Sequence, residues 1–544
     1  MSSSSEDEMV LSESNKNVDI DSFKNFYNYL KGDSISLKKK TLIDFLNNSG
    51  ITERDNRLIN ELKKLDDKII EEKFVDLMNS NVLFFKKIFE DDLIIKDWCN
   101  FTKNIDSIYE KTKNYDSGKL ADYIPQLANV DASLYGVSIC SIDGQIYNKG
   151  DYENEFCVQS CSKPITYLIA SDLESSDYIH NFVGREPSGR NFNELCLNND
   201  KIPHNPLINS GAIMCASLID YKNSLANRFD KVIKYWSKLA ANTKINFSTS
   251  VYLSERASAD RNNCLAYMMQ ESKSFSNGIN KYIRDWDNSD LGNTLDFYFQ
   301  CCSIEINSTQ ASIIAATLAN SGVCPLTNER IFSNEIVKNS LSLMSSCGMY
   351  DYSGEWAYTI GIPAKSGVSG IIMGIIPNVM GIAVFSPKLD ELGNSAKGIE
   401  FFKELMNVYS LHIYDNILSE KKNPILKQDI VNNHFDTFNL LTSASIGDLN
   451  SIVILESKGV DLNSFDYDKR TALHLACSEC QEHVIKYLIK KKVNINIIDR
   501  WNNKPIDDII RYKKNLIDDD TPIYKSKLLK CESIIKLLQE KLSV

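Results

Sequence analysis

Apolar residues recur at three- and four-residue spacing from about residue 21 to 117: Phe23, Phe26, Tyr27 and Leu30, then Leu42, Phe45 and Leu46, then Phe84, Phe85, Ile88 and Phe89. That spacing gives several short helices one apolar stripe each. Polar breaks such as Asn48-Ser-Gly50 separate them, which predicts a small helical domain over 21–118, with EF-hand-like helix-loop-helix pairs in form. Asp33 and Asp66-Asp67 hint at a calcium loop, but the alternating oxygen ligands and closing glutamate are missing, so no calcium is expected. The texture changes at Tyr123. Strand-like runs over 134–140 and 145–147 flank Asp143-Gly144, a hairpin turn signal. A strong helical stretch over 160–173 follows, then a long polar segment over 186–206 and further helices through 218–343. Strands return over 357–386. The longest apolar run, 371–385, is too short to span a bilayer as a helix and is interrupted by Pro377-Asn378, so it predicts two buried strands and a tight turn, with no membrane segment. Strands at both ends with helices between them describe an α+β domain over 119–412, whose sheet pairs early with late sequence.

Residues 413–434 read as a linker, and 435–544 carry a repeat. Thr471-Ala-Leu-His-Leu-Ala476 resembles the ankyrin signature, and Asp466 and Asp499 stand one 33-residue ankyrin period apart. Leu440-Leu-Thr-Ser-Ala444 with Gly447-Asp448-Leu449 reads as an earlier degenerate copy, and Arg500-Trp-Asn-Asn-Lys-Pro-Ile-Asp507 as a later one. A polar insertion over 513–525 precedes a final helix ending near Leu542. So few units suggest support from the preceding domain or from a protein partner.

The chain of 544 residues has 72 acidic against 61 basic side chains, a net charge of -11, which argues against nucleic-acid binding through phosphate neutralisation. Its 14 cysteines lie in apolar stretches and read as reduced thiols; Cys477-x-x-Cys480 has no second pair at metal-ligand spacing. Residues 1–22 carry six acids and one base, which fits neither a secretory peptide nor a mitochondrial presequence. Residues 1–20 are expected to form a disordered acidic tail, and the cytoplasm is the expected compartment.

The sharpest chemical signal is Ser160-Cys-Ser-Lys163 at a helix start. Residues three apart on a helix share a face, so the lysine can reach the serine. Serine needs a base to become a nucleophile, and a lysine becomes one when burial or another cation lowers its pKa from ~10.4. Helix-start amides also suit a developing oxyanion. Ser-x-x-Lys alone far more often marks a surface helix start with a solvated lysine. The apolar flanks Phe156-Cys-Val and Ile165-Thr-Tyr-Leu-Ile169 argue for a sheltered site, and a second motif, Lys365-Ser-Gly367, opens the later strand region. Serine acyl-transferases of the β-lactamase and penicillin-binding type pair these two elements, although their Ser-x-Asn element is not evident here.

Longer runs support a closer likeness: Tyr123-Ile-Pro-Gln-Leu127, Gln159-Ser-Cys-Ser-Lys-Pro164, Gly184-Arg-Glu-Pro-Ser-Gly189, Pro203-His-Asn-Pro206, Asn209-Ser-Gly-Ala212, Ser254-Glu-Arg256, Asp260-Arg-Asn262, Asp296-Phe-Tyr-Phe-Gln300, Ser345-Ser-Cys-Gly-Met-Tyr-Asp351, Pro363-Ala-Lys-Ser-Gly-Val368 and Pro377-Asn-Val-Met-Gly381. With these the chain resembles the serine-dependent glutaminases, of the animal kidney and liver type with an N-terminal helical domain and C-terminal ankyrin repeats. The resemblance implies a β-lactamase-like fold and hydrolysis of L-glutamine to L-glutamate and ammonia through a γ-glutamyl ester. It assigns Ser160 as nucleophile, Lys163 as general base, Tyr350 as proton relay, and the amides of Ser160 and Val368 as oxyanion hole. Glu255 would take the substrate ammonium, Asn209, Asn262 and Tyr298 its carboxylate, and Tyr123 would close the pocket. No cofactor or metal is implied. The family is homotetrameric, and its animal members are mitochondrial, which makes that compartment the alternative.

The loop that gates the site in animal members corresponds to residues that include Glu186, Phe192 and Glu194. Glu194 stands where the kidney enzyme has a lysine and Asn191 where it has an arginine, which puts phosphate activation in doubt. Met268 replaces a family tyrosine near the subunit contact. The rival readings are a serine acyl hydrolase acting on asparagine or a β-lactam, and a catalytically dead ankyrin scaffold.

Overall fold

The computed structural model describes residues 20–53, 55–89, 92–189, 194–275, 289–415, 428–457, 460–516 and 522–542. The chain divides into two compact units, 1–425 and 426–544. The acidic tail expected over 1–20 lies outside the described residues except for Ile20, which opens the first helix, Ile20–Lys31.

The predicted N-terminal helices form around a shared core of Phe23, Tyr27, Leu42, Leu46, Phe74 and Phe85. Two-residue strands, Leu37–Lys38 and Lys68–Ile69, pair antiparallel between the helices, with Leu37 opposite Ile69. These helices belong to the same compact unit as the α+β part, and the hairpin turn at Asp143-Gly144 is where they grip it. Lys87 Nζ donates to Asp143 Oδ1 at 2.8 Å, the Ile94 amide to Asp143 Oδ2 at 2.7 Å, and Arg57 to the Asp143 carbonyl at 2.9 Å. Gln145 donates to the carbonyls of Ser49 and Ile95 and accepts from the Ile95 amide. The Ile146 amide reaches the Gly50 carbonyl at 2.9 Å.

A five-stranded antiparallel sheet forms the centre of the α+β part: β1 (Gly136–Ser141), β2 (Ile146–Gly150), β3 (Ala364–Gly367), β4 (Ile371–Ile376) and β5 (Met380–Phe385), in the spatial order β2-β1-β5-β4-β3. Early and late strands meet at β1 and β5, with Ile139 opposite Ile382. The apolar run 371–385 becomes β4, a turn with Asn378 at φ 62°, and β5. Its unbroken apolar character follows from helices on both faces. A Cβ on Gly381 would fall 2.2 Å from the Ala316 amide nitrogen on one side, and one on Gly374 would fall 2.7 Å from the Phe402 ring on the other.

The helices that frame the site are α1 (Ser162–Glu174), α2 (Asn209–Leu218), α3 (Thr249–Ala257), α4 (Asp260–Glu271), α5 (Ser289–Cys302) and α6 (Ser308–Ala319), with α7 (Ala396–Val408) packing on the other sheet face. Two features depart from the pattern reading. The strand region begins at Ala364, not at 357, because Ser353–Thr359 is helical and anchored by buried Trp356, whose Nε1 donates to the Ile362 carbonyl. A second, three-stranded sheet joins Phe156–Cys157, Ile304–Ile306 and Asn246–Phe247, strands too short to show a period.

In the second unit the helix Gln428–Ile446 opens inside the range read as linker. The 33-residue echo has a structural basis. Asp466 Oδ1 accepts from the amides of Asp468 and Arg470, and Asp499 Oδ1 accepts from those of Trp501 and Asn503, so the same side-chain turn precedes each helix. His474 is fully buried; its Nδ1 meets Thr471 Oγ1 at 2.9 Å and its Nε2 meets the Asn503 carbonyl of the following unit at 3.3 Å. Cys480 Sγ lies 3.7 Å from Cys531 Sγ in the final helix, Pro522–Leu542. Among the described residues no helix is long and apolar enough to cross a membrane.

The close packing of α6 on β5 makes Gly381→Ala destabilising by about 1–3 kcal/mol, read as a lower urea midpoint. Gly292→Ala, where an added methyl meets nothing within 4 Å on α5, should leave the midpoint unchanged or raise it.

Candidate active site

Ser160 sits in a 3-10 turn, Gln159–Cys161, between the short strand Phe156–Cys157 and α1. The strand is held by the second sheet, and the Val158 amide donates to the Ile304 carbonyl at 2.8 Å. Gln159 then takes a left-handed backbone (φ 48°), an uncommon conformation for a residue with a side chain. Ser162 Oγ donates to the Gln159 carbonyl at 2.7 Å and fixes the turn. Strand β3 abuts it closely enough that a Cβ on Gly367 would lie 2.8 Å from the Val158 carbonyl. Val368 follows directly, half-buried against a cluster that includes Ile124, Leu127 and Cys157.

Lys163, in the first turn of α1, is 1% exposed. Its Nζ donates to Asn209 Oδ1 at 2.7 Å. Burial draws its pKa down to about 8, against smaller opposing effects of the thiols of Cys302 and Cys161. Tyr350 opens a second 3-10 turn in a left-handed backbone (φ 52°), and its carbonyl accepts from Ser353 Oγ at 2.6 Å. Burial pushes the Tyr350 phenol well up, partly offset by a hydrogen bond with Ser160. The predicted serine and lysine, on one turn and the helix that follows it, and the tyrosine, from a distant segment, thus come together.

Glu255 on α3 is buried, and burial raises its pKa while hydrogen bonds from Tyr123 and Gln159 pull the other way. Tyr123 hydroxyl donates to Glu255 Oε1 at 2.7 Å and Gln159 Nε2 donates to the same oxygen at 3.0 Å. Among the described residues nothing donates to Oε2. The Tyr123 ring is 48% exposed, so it stands at the mouth with its hydroxyl turned inward.

Asn209, Asn262 and Tyr298 are also brought together, by α2, α4 and α5, but they bond to one another. Asn209 Nδ2 donates to Asn262 Oδ1 at 3.0 Å, and the Tyr298 hydroxyl approaches Asn209 Oδ1 at 3.5 Å. Asn209 therefore links Lys163 to this group. Of the loop residues, Glu186 is anchored through its backbone, with its amide on the His204 carbonyl and its carbonyl accepting from Asn205 Nδ2. The Glu194 carbonyl accepts from the Cys196 amide, and Phe192 lies outside the described residues. A cavity of about 440 Å³ separates this loop from Tyr350, with Pro187, Asn205 and Cys347 in its walls.

Two residues escaped the sequence reading as site components. Gln159 was visible only as the neighbour of Ser160, and nothing in its type announced a bond to a carboxylate 96 positions away. Lys365 was seen as part of a motif, but its complete burial beside Tyr350 is a property of the fold.

A family model described as Glutaminase matches residues 118–414, and one described as Ankyrin repeats (3 copies) matches 397–499. The chain is 41% identical to the mitochondrial liver isoform of glutaminase from Rattus norvegicus over 500 residues, covering 90% of this chain and 81% of that one. It is 40% identical to putative glutaminase 2 from Caenorhabditis elegans over 494 residues, 87% and 80% of the two chains. Among solved structures, the probable glutaminase ybaS superposes with a TM-score of 0.52 at 32% identity, over 57% of this chain and 97% of that one. Mglu in its tris and glutamate form gives 0.50 at 32% identity, over 55% and 64%. The chain, an amidohydrolase with C-terminal ankyrin repeats, therefore belongs to the glutaminase family.

Proposed function

We propose that this protein hydrolyses L-glutamine to L-glutamate and ammonia through an ester on Ser160. The observation that carries the mechanism is the burial of Lys163 in the first turn of the helix that follows Ser160, in the same corner as Tyr350. Ser160 Oγ attacks the side-chain amide carbon and its proton passes to the free amine of Lys163. The amides of Ser160 and Val368 hold the oxyanion. Tyr350 relays that proton from Lys163 to the leaving nitrogen, the carbon–nitrogen bond breaks, and ammonia departs with the lysine again a free amine. Water then attacks the γ-glutamyl ester, gives its proton to Lys163, and releases glutamate as Ser160 recovers its hydrogen.

Substrate choice rests on Glu255. Its open Oε2 in a buried setting suits an α-ammonium, which replaces the missing donor and offsets the charge. Asn262 and Tyr298 supply neutral donors to the α-carboxylate, with Asn209 orienting them, and Tyr123 closes over the ligand. The name of the Mglu structure in its glutamate form supports an amino-acid ligand over a β-lactam. A homotetramer is the proposed assembly, with the exposed Leu253 and Tyr267 on α3 and α4 as contact residues; light scattering tests it. The rat and mouse relatives bear the word mitochondrial in their names, which favours that compartment over the cytoplasm, and fractionation decides between them.

Ser160→Ala should lower ammonia release from glutamine by about four orders of magnitude or more, and Lys163→Ala by about 10²–10⁴; turnover retained in the serine variant overturns the mechanism. Glu255→Gln should raise KM about 30-fold or more, and asparagine and a chromogenic β-lactam should be poor substrates of the unmodified enzyme. A base acts only without its proton, so activity is lost as pH falls. The kcat/KM profile should rise through pH about 8 and fall about tenfold per unit below it.

A further inference from the structure

Cys480 and Cys531 stand 51 positions apart in the chain, yet their sulfurs lie 3.7 Å from each other. Cys531 belongs to the final helix and is fully buried. With Ile534 and Leu538 on the same helix face it packs into the core of the repeats. Cys480 lies just past the end of the helix Ala472–Ser478 and is half-buried.

Packing explains Cys531, because a buried thiol behaves as a small apolar group. It does not explain Cys480. The backbone there is left-handed, with φ 54°, at a place past a helix end where glycine or asparagine is least strained. The Gln481 amide donates to the Ala476 carbonyl at 2.9 Å and pins that turn. A side chain is thus carried where the backbone favours none, and its sulfur touches a second thiol. A disulfide has its sulfurs at ~2.05 Å, so closing the gap takes a shift of under about 2 Å.

We propose that Cys480 and Cys531 are a modification site: exchange with a small-molecule disulfide joins them in an intramolecular disulfide that fastens the final helix to the repeat before it. Cys480, the more accessible of the two, acts first. Its sulfur loses a proton and attacks one sulfur of the oxidant, whose S–S bond breaks and releases one small thiolate. Cys531 then loses its proton and attacks Cys480 Sγ, which forms the Cys480–Cys531 bond and displaces the second small thiolate. The two protons end on the two released thiolates, so one small disulfide is reduced to two thiols as the two cysteines are oxidised. Burial and the nearness of Cys531 push the Cys480 thiol up to about 12. Its thiolate is therefore scarce, the first step is slow, and the site answers to sustained rather than brief oxidation.

The test incubates the full-length chain with oxidised glutathione under native conditions, alkylates the remaining thiols and maps the unreduced peptides by mass spectrometry. The expected product is a cross-linked pair holding Cys480 and Cys531, two hydrogens lighter than the separate peptides. In Cys531→Ser the reaction should stop with glutathione on Cys480. In Cys480→Gly, which suits the left-handed backbone and keeps the fold, Cys531 should stay unmodified. Protease cleavage within the final helix should be about tenfold or more slower in the oxidised wild-type chain than in the reduced one, with no such difference in Cys480→Gly. A bond between Cys480 and Cys477, a lasting glutathione adduct on wild-type Cys480, or a cross-link that forms only in urea overturns the site. A cross-link that leaves cleavage unchanged overturns its fastening role. If Cys531→Ser does not fold, the wild-type map and Cys480→Gly decide alone.

Discussion

An amine holds its proton in water because water solvates the resulting charge, and the architecture around Ser160 works by removing that solvent from Lys163. A fully buried lysine can shift by ~3–5 pH units; here the Asn209 carbonyl oxygen, 2.7 Å from Nζ, compensates part of the loss. The balance leaves an amine that can both take and return a proton. The surroundings keep it dry: α1 begins directly after the Ser160 turn, β3 closes one side with Gly367 against the Val158 carbonyl, and Asn209 stands at the start of α2. Lose the shelter at any of these points and the lysine becomes an ordinary surface cation.

Glu255 follows the opposite logic on the facing side. Its burial makes the carboxylate costly, and two donors on one oxygen offset only part of that cost. Among the described residues the other oxygen, Oε2, accepts no hydrogen bond. In the proposed reaction Lys163 and Glu255 would meet a molecule that carries an ammonium at a set distance from an amide.

The sequence was most readable where chemistry and pattern coincide. Ser160 and Lys163 announce themselves through spacing and apolar flanks, and the run 371–385 through its length and its Pro-Asn break. Asp466 and Asp499 were legible as a period, and the paired side-chain turns explain why an aspartate recurs there. Less was readable where partners lie far apart in the chain. Gln159 meeting Glu255, or Asn209 joining Lys163 to Asn262, depends on how α2, α3 and α4 are set around α1, and no local spacing encodes it. The two-residue strands at 156–157 and 246–247 were invisible for a simpler reason: a period needs more residues than they have. Only the end of the helix Ser353–Thr359, from Ala357 on, was misread as strand, because its aromatic and β-branched residues resemble one, while a single buried indole decides the matter.

The grip of the N-terminal helices on the Asp143 turn has a further consequence. β2 is an edge strand, and its Ile146 amide is taken by the Gly50 carbonyl, while the helix Trp98–Lys113 lies alongside, with Asp106 engaged by Tyr147 and Lys149. A fragment trimmed to begin near residue 118 keeps every side chain of the site yet bares this margin, with unpaired amides and carbonyls ready to zip onto a neighbouring molecule. In the intact chain the N-terminal helices cover that margin.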